Sequence, residues 1–529
     1  MLRDKSNYLK ILLTVFFIVC VILPLVQMFA NIDAASFDAV VHQPLFASAV
    51  KNSLTASLLA TLISVALALL LSFCLARSNM RLKNMFKIIL TLPMLIPSIS
   101  HGWGLKMLLG NNGILTNWLG LSEGIYGLTG IVIGSVMYSF PIAFLMLADV
   151  LAYEDASPYE AADVLGISKV RQFGSITLPY LSKPLISVVF SVFTMVITDY
   201  GVPLTLGNTG FKTIPVMLYE EVQGFDFTFG KGSVYGILLL TPAVIAFVVD
   251  LLKKEQSRSN FVNKAIKPRK NVLRDVVCYV VCILMSLTVF FPIAAFVLQS
   301  LVKKYPTDMS LSLDNIINTF SQNGDTYLVN SLIVSAVVAV VGTVVAYLCA
   351  YCTARTHGPF SRALHLMSIT SMAVPGMVLG LSYVMFFSGS ALTGTLAILI
   401  LVNSMHFFAS PYLMIYNSFN IINKNLEDVG ATLNISRPRI LLDVLVPQTK
   451  DTLIEMMSYF FVNSMMTISA VTFLAKSETF QLSLLINRFE ASFNLGGAAF
   501  VSLMILFVNL SVKTIAYILK KSMKKSKAR

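Results

Sequence analysis

The sequence predicts an all-α membrane protein of about twelve spanning helices, arranged as two parallel repeats of six. Three observations carry this. Hydrophobic residues make up 56% of the chain and charged ones 12%, with a mean hydropathy of +0.78, whereas a soluble domain carries about 25% charge. The apolar residues gather in runs of about 20 with almost no charge inside them, the length that crosses a bilayer. The sequence also repeats itself at a fixed offset.

The runs fall at 11–30, 54–76, 87–109, 128–150, 184–206, 233–252, 276–298, 332–354, 364–387, 395–416, 453–475 and 498–519. Twelve spans put both termini on one side. Of the 39 Lys and Arg, 30 fall in segments on that side, among them Arg3, Lys5, Lys10, Arg77, Arg81, Lys83, Lys87 and the tail KKSMKKSKAR. This positive-inside bias marks the side as cytoplasmic. It also accounts for the net charge of +13 with no nucleic-acid partner. The first apolar run is longer than a secretory signal core and no small-x-small cleavage site follows it, so it reads as an uncleaved span. All six cysteines lie in apolar runs. Cys349 and Cys352 form a formal CxxC at the end of a spanning run, and they read as packing residues, not as a metal or redox site.

The repeat fixes the domain organisation. Asn52-Ser53-Leu54 opens span two and Ala76-Arg77 closes it; Asn330-Ser331-Leu332 and Ala354-Arg355 do the same for span eight, at an offset of 278. Pro97 and Pro375 match at the same offset. The first domain is 1–252 and the second 275–529, joined by a basic cytoplasmic linker, 253–274, with eight Lys or Arg against one Glu. Six spans is an even number, so the repeats share one orientation, about an axis along the membrane normal, and a pathway lies at their shared interface.

Two cytoplasmic loops are long, and they occupy equivalent places: 151–183 and 417–450. The first contains Glu160-Ala161-Ala162, then Gly166, then Ile176-x-Leu178-Pro179. Ser157-Pro158 starts a helix, with proline where its missing N–H is harmless. Ala161 and Ala162 favour helix with little bulk. Gly166 permits a turn that other residues resist. A second short helix runs from Ser168, and Pro179 ends it. The second loop aligns at an offset of 268 through Leu433, Ile435, Ser436 and Pro447, with Asp428-Val429-Gly430 in place of Glu-Ala-Ala and Asn434 in place of the glycine. Asn is the next best residue for a positive-φ turn, and Asp428 keeps the acidic charge.

What is missing narrows the function. No G-x-x-x-x-G-K-[ST] phosphate loop occurs; GNTGFKT at 207–213 and GKGS at 230–233 do not fit it. No catalytic constellation appears either, and His42, His101, His357, His365 and His406 are scattered. The chain therefore reads as no enzyme, with no cofactor and no metal.

The loop spacing matches the EAA signature of ABC importer permeases, and the whole chain resembles the fused, two-domain, binding-protein-dependent (MetI-like) permeases that handle ferric iron, thiamine or phosphonates. The stretches 198–203, 373–383 and 463–471 are more similar to the 2-aminoethylphosphonate permeases than to the iron ones. The resemblance implies a plasma-membrane protein and a role for each loop. Glu160, Ala161, Ala162, Gly166 and Pro179, and Asp428, Gly430, Asn434 and Pro447, would form the elements that dock on two copies of a cytoplasmic ATPase, with Glu160 facing a basic group there. A solute-binding protein would dock on outer loops such as 207–232 and 299–328. The cargo expected is 2-aminoethylphosphonate, with ferric iron next.

Asp199 falls inside an apolar run, where a carboxylate is expensive and usually functional. Ser469 is read as its counterpart in the second repeat, near Asn463, Ser464 and Thr467, which together suggest a polar route. The competing reading is that Asp199 caps a helix break before Gly201 and Pro203. A proton-coupled secondary transporter of the major facilitator kind also has twelve spans in two halves. It would carry a Gly- and Asp-containing basic motif between spans two and three, whereas ARSNMRLKNMF has neither residue. A channel would leave the paired loops unexplained.

Overall fold

A computed structural model describes residues 2–120, 123–208, 210–252, 266, 268, 270–356, 358–423 and 425–527. Most of the basic linker 253–274, together with His357, lies outside the described residues. Almost everything else is helix. In chain order the helices used below are α1 (Asn7–Ala30), α2 (Phe46–Arg77), α3 (Lys83–Leu95), α4 (Ser98–Leu109), α5 (Gly127–Ala152), α6 (Ser157–Val164), α7 (Lys169–Ile197), α8 (Gly201–Leu206), α9 (Ile214–Gln223), α10 (Phe229–Leu251) and α11 (Val272–Leu301). The second repeat supplies α12 (Gly324–Ala354), α13 (Pro359–Thr370), α14 (Gly376–Phe386), α15 (Leu396–His406), α16 (Ala409–Ile421), α17 (Asn425–Thr432), α18 (Arg437–Ile440), α19 (Lys450–Met466), α20 (Leu482–Ala491) and α21 (Leu495–Lys527). A two-stranded antiparallel hairpin pairs Val302 with Leu311 and Lys304 with Asp308.

Among the described residues, eight helices are long and apolar enough to cross a membrane, or ten if each bent pair is one span. The twelve apolar runs exceed this count because several are broken. Run 87–109 bends by 101° between Leu95 and Ser98, and run 395–416 by 51° between His406 and Ala409. Run 364–387 splits into α13 and α14 before Pro375, and the helix in run 453–475 ends at Met466. Pro97 and Pro375 both hold extended backbone, with ψ 151° and 144°, and a helix starts at the next residue. Proline supplies the fixed φ there and needs no N–H partner.

The chain packs as two compact units. One comprises Val41–Glu220 and Thr241–Leu313; the other comprises Met1–Val40, Glu221–Leu240 and Asp314–Arg529. The first span thus packs with the second repeat, and the seventh with the first, a crossing that the linear halves do not announce. A hydrogen bond shows how α1 is held. Pro24 has no N–H to give the carbonyl of Cys20, and a π-turn at Ile18–Ile22 precedes it. The Tyr383 hydroxyl of α14 donates to that carbonyl at 2.6 Å, closing a gap that a bilayer leaves without water. In the other unit α11 packs on α2, α3 and α4. Asp275 and Tyr279 of α11 accept from the backbone N–H groups of Asn79 and Arg81, at 3.0 and 2.9 Å.

Each unit is built on one central helix. The buried positions of α2 include Ala49, Ser53, Ala56, Ser57, Ala60, Ser64 and Ala68. Small residues at this spacing let α5 approach closely, and Ser64 bonds Ser139 at 2.8 Å. In α12 the same role falls to Ser331, Ser335, Ala339, Gly342 and Ala346, packed on α19 and α16. Both helices are preceded by a residue at positive φ, Leu45 at 72° and Asn323 at 63°, again 278 apart. Leucine gives no signal for that conformation, so the sequence conceals it at Leu45.

Cys74 of α2 and Cys278 of α11 lie within hydrogen-bond reach of each other. With a protease site inserted in the linker, oxidation by copper phenanthroline is expected to hold the two fragments together on a non-reducing gel. Cys278→Ala should abolish the cross-link. Two separate fragments from the unmutated chain would contradict the crossed packing.

Candidate functional site

The two long loops fold into the same elbow. In the first, α6 ends at Val164 and reverses through Gly166 at φ 69°. The Ile167 N–H returns to the Ala162 carbonyl at 2.9 Å and the Leu165 N–H to Ala161 at 3.1 Å, a helix stop that uses one left-handed residue. In the second, α17 ends at Thr432, Asn434 takes φ 54°, and the Ile435 N–H returns to Gly430 at 2.8 Å. The turn therefore survives the change from glycine to asparagine.

The second helix of each elbow begins after Ser168 or Ser436; the Ser168 hydroxyl accepts from the Arg171 N–H at 3.5 Å. Here Pro179 departs from the sequence expectation. It does not end the helix, which continues through a π-turn at Phe173–Thr177 into the span, unbroken from Lys169 to Ile197. The Leu178 N–H reaches back five residues to Phe173, and this wider turn accommodates the ring that would crowd a regular one. Pro447 follows an identical π-turn at Leu441–Leu445.

Packing inside each elbow explains the altered signature. In the first, Ala162 is buried and the Gln172 side chain donates to the Asp163 carboxylate at 2.6 Å and to the Ile167 carbonyl at 2.8 Å. In the second, Ile440 stands where Gln172 does. A Cβ on Gly430 would sit 2.2 Å from the Ile440 Cδ1. The lost methyl at 430 thus matches the larger apolar residue at 440.

Glu160, Ala161 and Asp428 are exposed, as is an apolar set the sequence reading passed over: Val164 at 88%, Leu165 at 76% and Val170 at 85%. The second elbow exposes Val429, Leu433 and Leu442. Their signal was present as apolar residues inside an otherwise polar loop.

An arginine pins each elbow to its central helix. Arg77, the last residue of α2, donates to Glu154 at 2.6 Å and lies 4.4 Å from the Tyr159 ring centroid. The Tyr159 hydroxyl donates to Glu154 and bonds Thr177 at 2.6 Å. Burial pushes the Glu154 carboxyl up, opposed by Tyr159 and Arg77; burial and the Glu154 bond take the Tyr159 phenol to about 12. In the second repeat Glu427 occupies the position equivalent to Tyr159 and pairs directly with Arg355 through both oxygens, at 2.7 and 2.5 Å. The remaining N–H groups of Arg355 go to the carbonyls of Phe419, Ile422 and Asn423. All five donors of the guanidinium are used, and its side chain is 1% exposed. Removing one partner of such a pair strands the other, at roughly 3–5 kcal/mol.

The remaining candidates lie at helix breaks. Asp199 sits between α7 and α8, accepting from the Val202 N–H at 3.0 Å and from the Ser98 hydroxyl at the start of α4. It therefore caps the break. In the other unit the Asn463 amide donates to the Tyr459 carbonyl at 2.8 Å. Ser464 and Thr467 are buried, and Ser469 is half-buried beside Gly376. The His101 Nε2–H donates to the Pro93 carbonyl at 3.1 Å, and the ring packs on Tyr138. The six cysteines are buried free thiols.

A family model described as "Binding-protein-dependent transport system inner membrane component" matches residues 60–259 and 342–525. The ferric transport system permease protein FbpB of Actinobacillus pleuropneumoniae is 25% identical over 91% of this chain and 73% of its own length. The sulfate transport system permease protein CysT of Escherichia coli is 25% identical over 45% of this chain and 90% of its own length. The molybdenum transport system permease protein ModB of Haemophilus influenzae is 30% identical over 33% of this chain and 80% of its own length.

Gly166→Asn is expected to leave the first elbow intact, because Asn434 serves the same turn. Gly166→Val costs roughly 1–2 kcal/mol in the left-handed region and should lower the amount of partner protein recovered with the purified chain. Equal recovery with Val and Asn would contradict this account of the turn.

Proposed function

The chain belongs to the family of binding-protein-dependent transport system inner membrane components, as an ABC permease with two fused repeats, and we propose that it imports ferric iron into the cytoplasm. The observation that carries the coupling role is the pair of matching elbows. Each offers an exposed acid, Glu160 or Asp428, beside exposed apolar side chains on a short helix anchored to the membrane core. Two copies of a cytoplasmic ATPase dock there and supply the energy. A solute-binding protein delivers the cargo from outside, and the basic segments hold both termini in the cytoplasm. The polar side chains at the helix breaks, Asp199 in one unit and Asn463, Ser464, Thr467 and Ser469 in the other, line the route within their own units.

For the cargo, the relative covering 91% of this chain is named a ferric transport permease, which favours iron. A carboxylate at a helix break inside a span, Asp199, suits a metal cation. 2-Aminoethylphosphonate is the second reading, supported by the likeness of 198–203, 373–383 and 463–471 to permeases for that compound.

The coupling role is tested by Glu160→Lys combined with Asp428→Lys. Reversing both charges should lower uptake at least about tenfold while the chain still inserts in the membrane; unchanged uptake would refute the role. The cargo is tested by uptake of radiolabelled ferric iron in cells lacking the gene and in cells with it restored. Loss and rescue for iron, with 2-aminoethylphosphonate uptake unaffected, are expected. The reverse pattern would replace the cargo and leave the coupling proposal standing.

A further inference from the structure

The repeated Asn-Ser and Ala-Arg pairs mark the two ends of one helix in each unit, and the structure gives each end a partner. At the outer end of α12 the Asn330 amide donates to the carbonyls of Glu478 and Phe480, at 2.9 and 3.2 Å. The Ser331 hydroxyl accepts from the Leu482 N–H, the first of α20, at 2.8 Å. In α2 the Asn52 amide donates to the Lys212 carbonyl at 3.1 Å, and the Ser53 hydroxyl accepts from the Ile214 N–H, the first of α9, at 2.8 Å. These are the same bonds at equivalent positions. Each central helix therefore clasps an outer helix by its start and, 25 residues further on, holds an elbow through an arginine. A rise of 1.5 Å per residue puts the two attachments roughly 38 Å apart.

In the second unit the outer clasp also borders a cavity of about 730 Å³, walled by Glu478 and Phe480 with Tyr327, Lys476 and Arg488. Tyr327 stands on α12 itself, one turn before Asn330, and its hydroxyl bonds Arg488 at 3.4 Å. The wall of the outer cavity and the latch of the elbow thus share one helix with no break between them.

Resting on the coupling role proposed above, we infer that α12 and α2 are the struts that carry movement of the elbow to the outer surface, with Asn330, Ser331 and Arg355, and Asn52, Ser53 and Arg77, as their positioning residues. A helix fixed at both ends moves as a body. The same helix released at either end leaves the elbow free to follow the ATPase alone. Loss of either attachment therefore uncouples, and loss of the second adds nothing, whereas independent local supports would add their effects as free energies.

The test uses the full complex of this chain with its ATPase, in lipid vesicles. Ser477→Cys places a reactive thiol on the cavity wall, and the native cysteines are buried. The readout is the rate of maleimide labelling, without nucleotide and after trapping with ATP and vanadate. In the otherwise unmutated complex trapping should change the rate. Arg355→Met and Asn330→Ala should each reduce that change about fivefold or more, with the ATPase still bound, and the double variant should match the more damaging single. Where Arg355→Met does not accumulate, Arg355→Lys replaces it, since an ammonium can serve at most three of the five acceptors. A change retained in both singles, or a double variant whose loss is the product of the two, would overturn the strut. An ATPase that fails to bind the unmutated chain would overturn the coupling role beneath it, and the two failures are told apart by that binding measurement.

Discussion

A bilayer offers no water to backbone groups, so wherever a helix stops or bends inside this chain a side chain has to close the gap. Tyr383 supplies the hydrogen that Pro24 withholds from the Cys20 carbonyl. Asp199 caps the start of α8. Ser53 and Ser331 take the first N–H of an outer helix. Arg355 gathers three carbonyls at the end of α16 together with the Glu427 carboxylate. These few bonds decide where the helices can break, and the breaks decide where the elbows, the outer helices and the polar positions lie.

The parts of the fold that depend on local chemistry were legible in the sequence. The 278-residue repeat, the elbow helix after Ser157-Pro158, the turn at Gly166 and the substitute turn at Asn434 all follow from residue type and spacing. What depends on distant packing was not. The union of the first span with the second repeat rests on contacts such as Tyr383 with Cys20, which no local pattern encodes. Pro179 stays inside a helix because a π-turn widens the backbone ahead of it, and π-turns have no composition of their own. Leu45 takes a left-handed conformation that its side chain disfavours. The apolar runs were read correctly as membrane-seeking, but apolarity does not record a bend of 101°.

The elbows show how one design tolerates two solutions. The first is polar inside, joined by Gln172, Asp163 and Tyr159; the second is apolar inside, with Ile440 filling the space that Gly430 leaves. The arginine latch changes in step. Arg77 pairs with the buried Glu154, which Tyr159 ties to the elbow, whereas Arg355 pairs with Glu427 of the elbow itself and is saturated by backbone. Both keep an exposed acid next to exposed apolar side chains.

The central claim is that one chain presents two docking elbows for two ATPase copies. Native mass spectrometry of the complex purified from the membrane measures this directly. The account predicts two ATPase copies for each copy of this chain. A mass corresponding to one ATPase copy, or none, would contradict it.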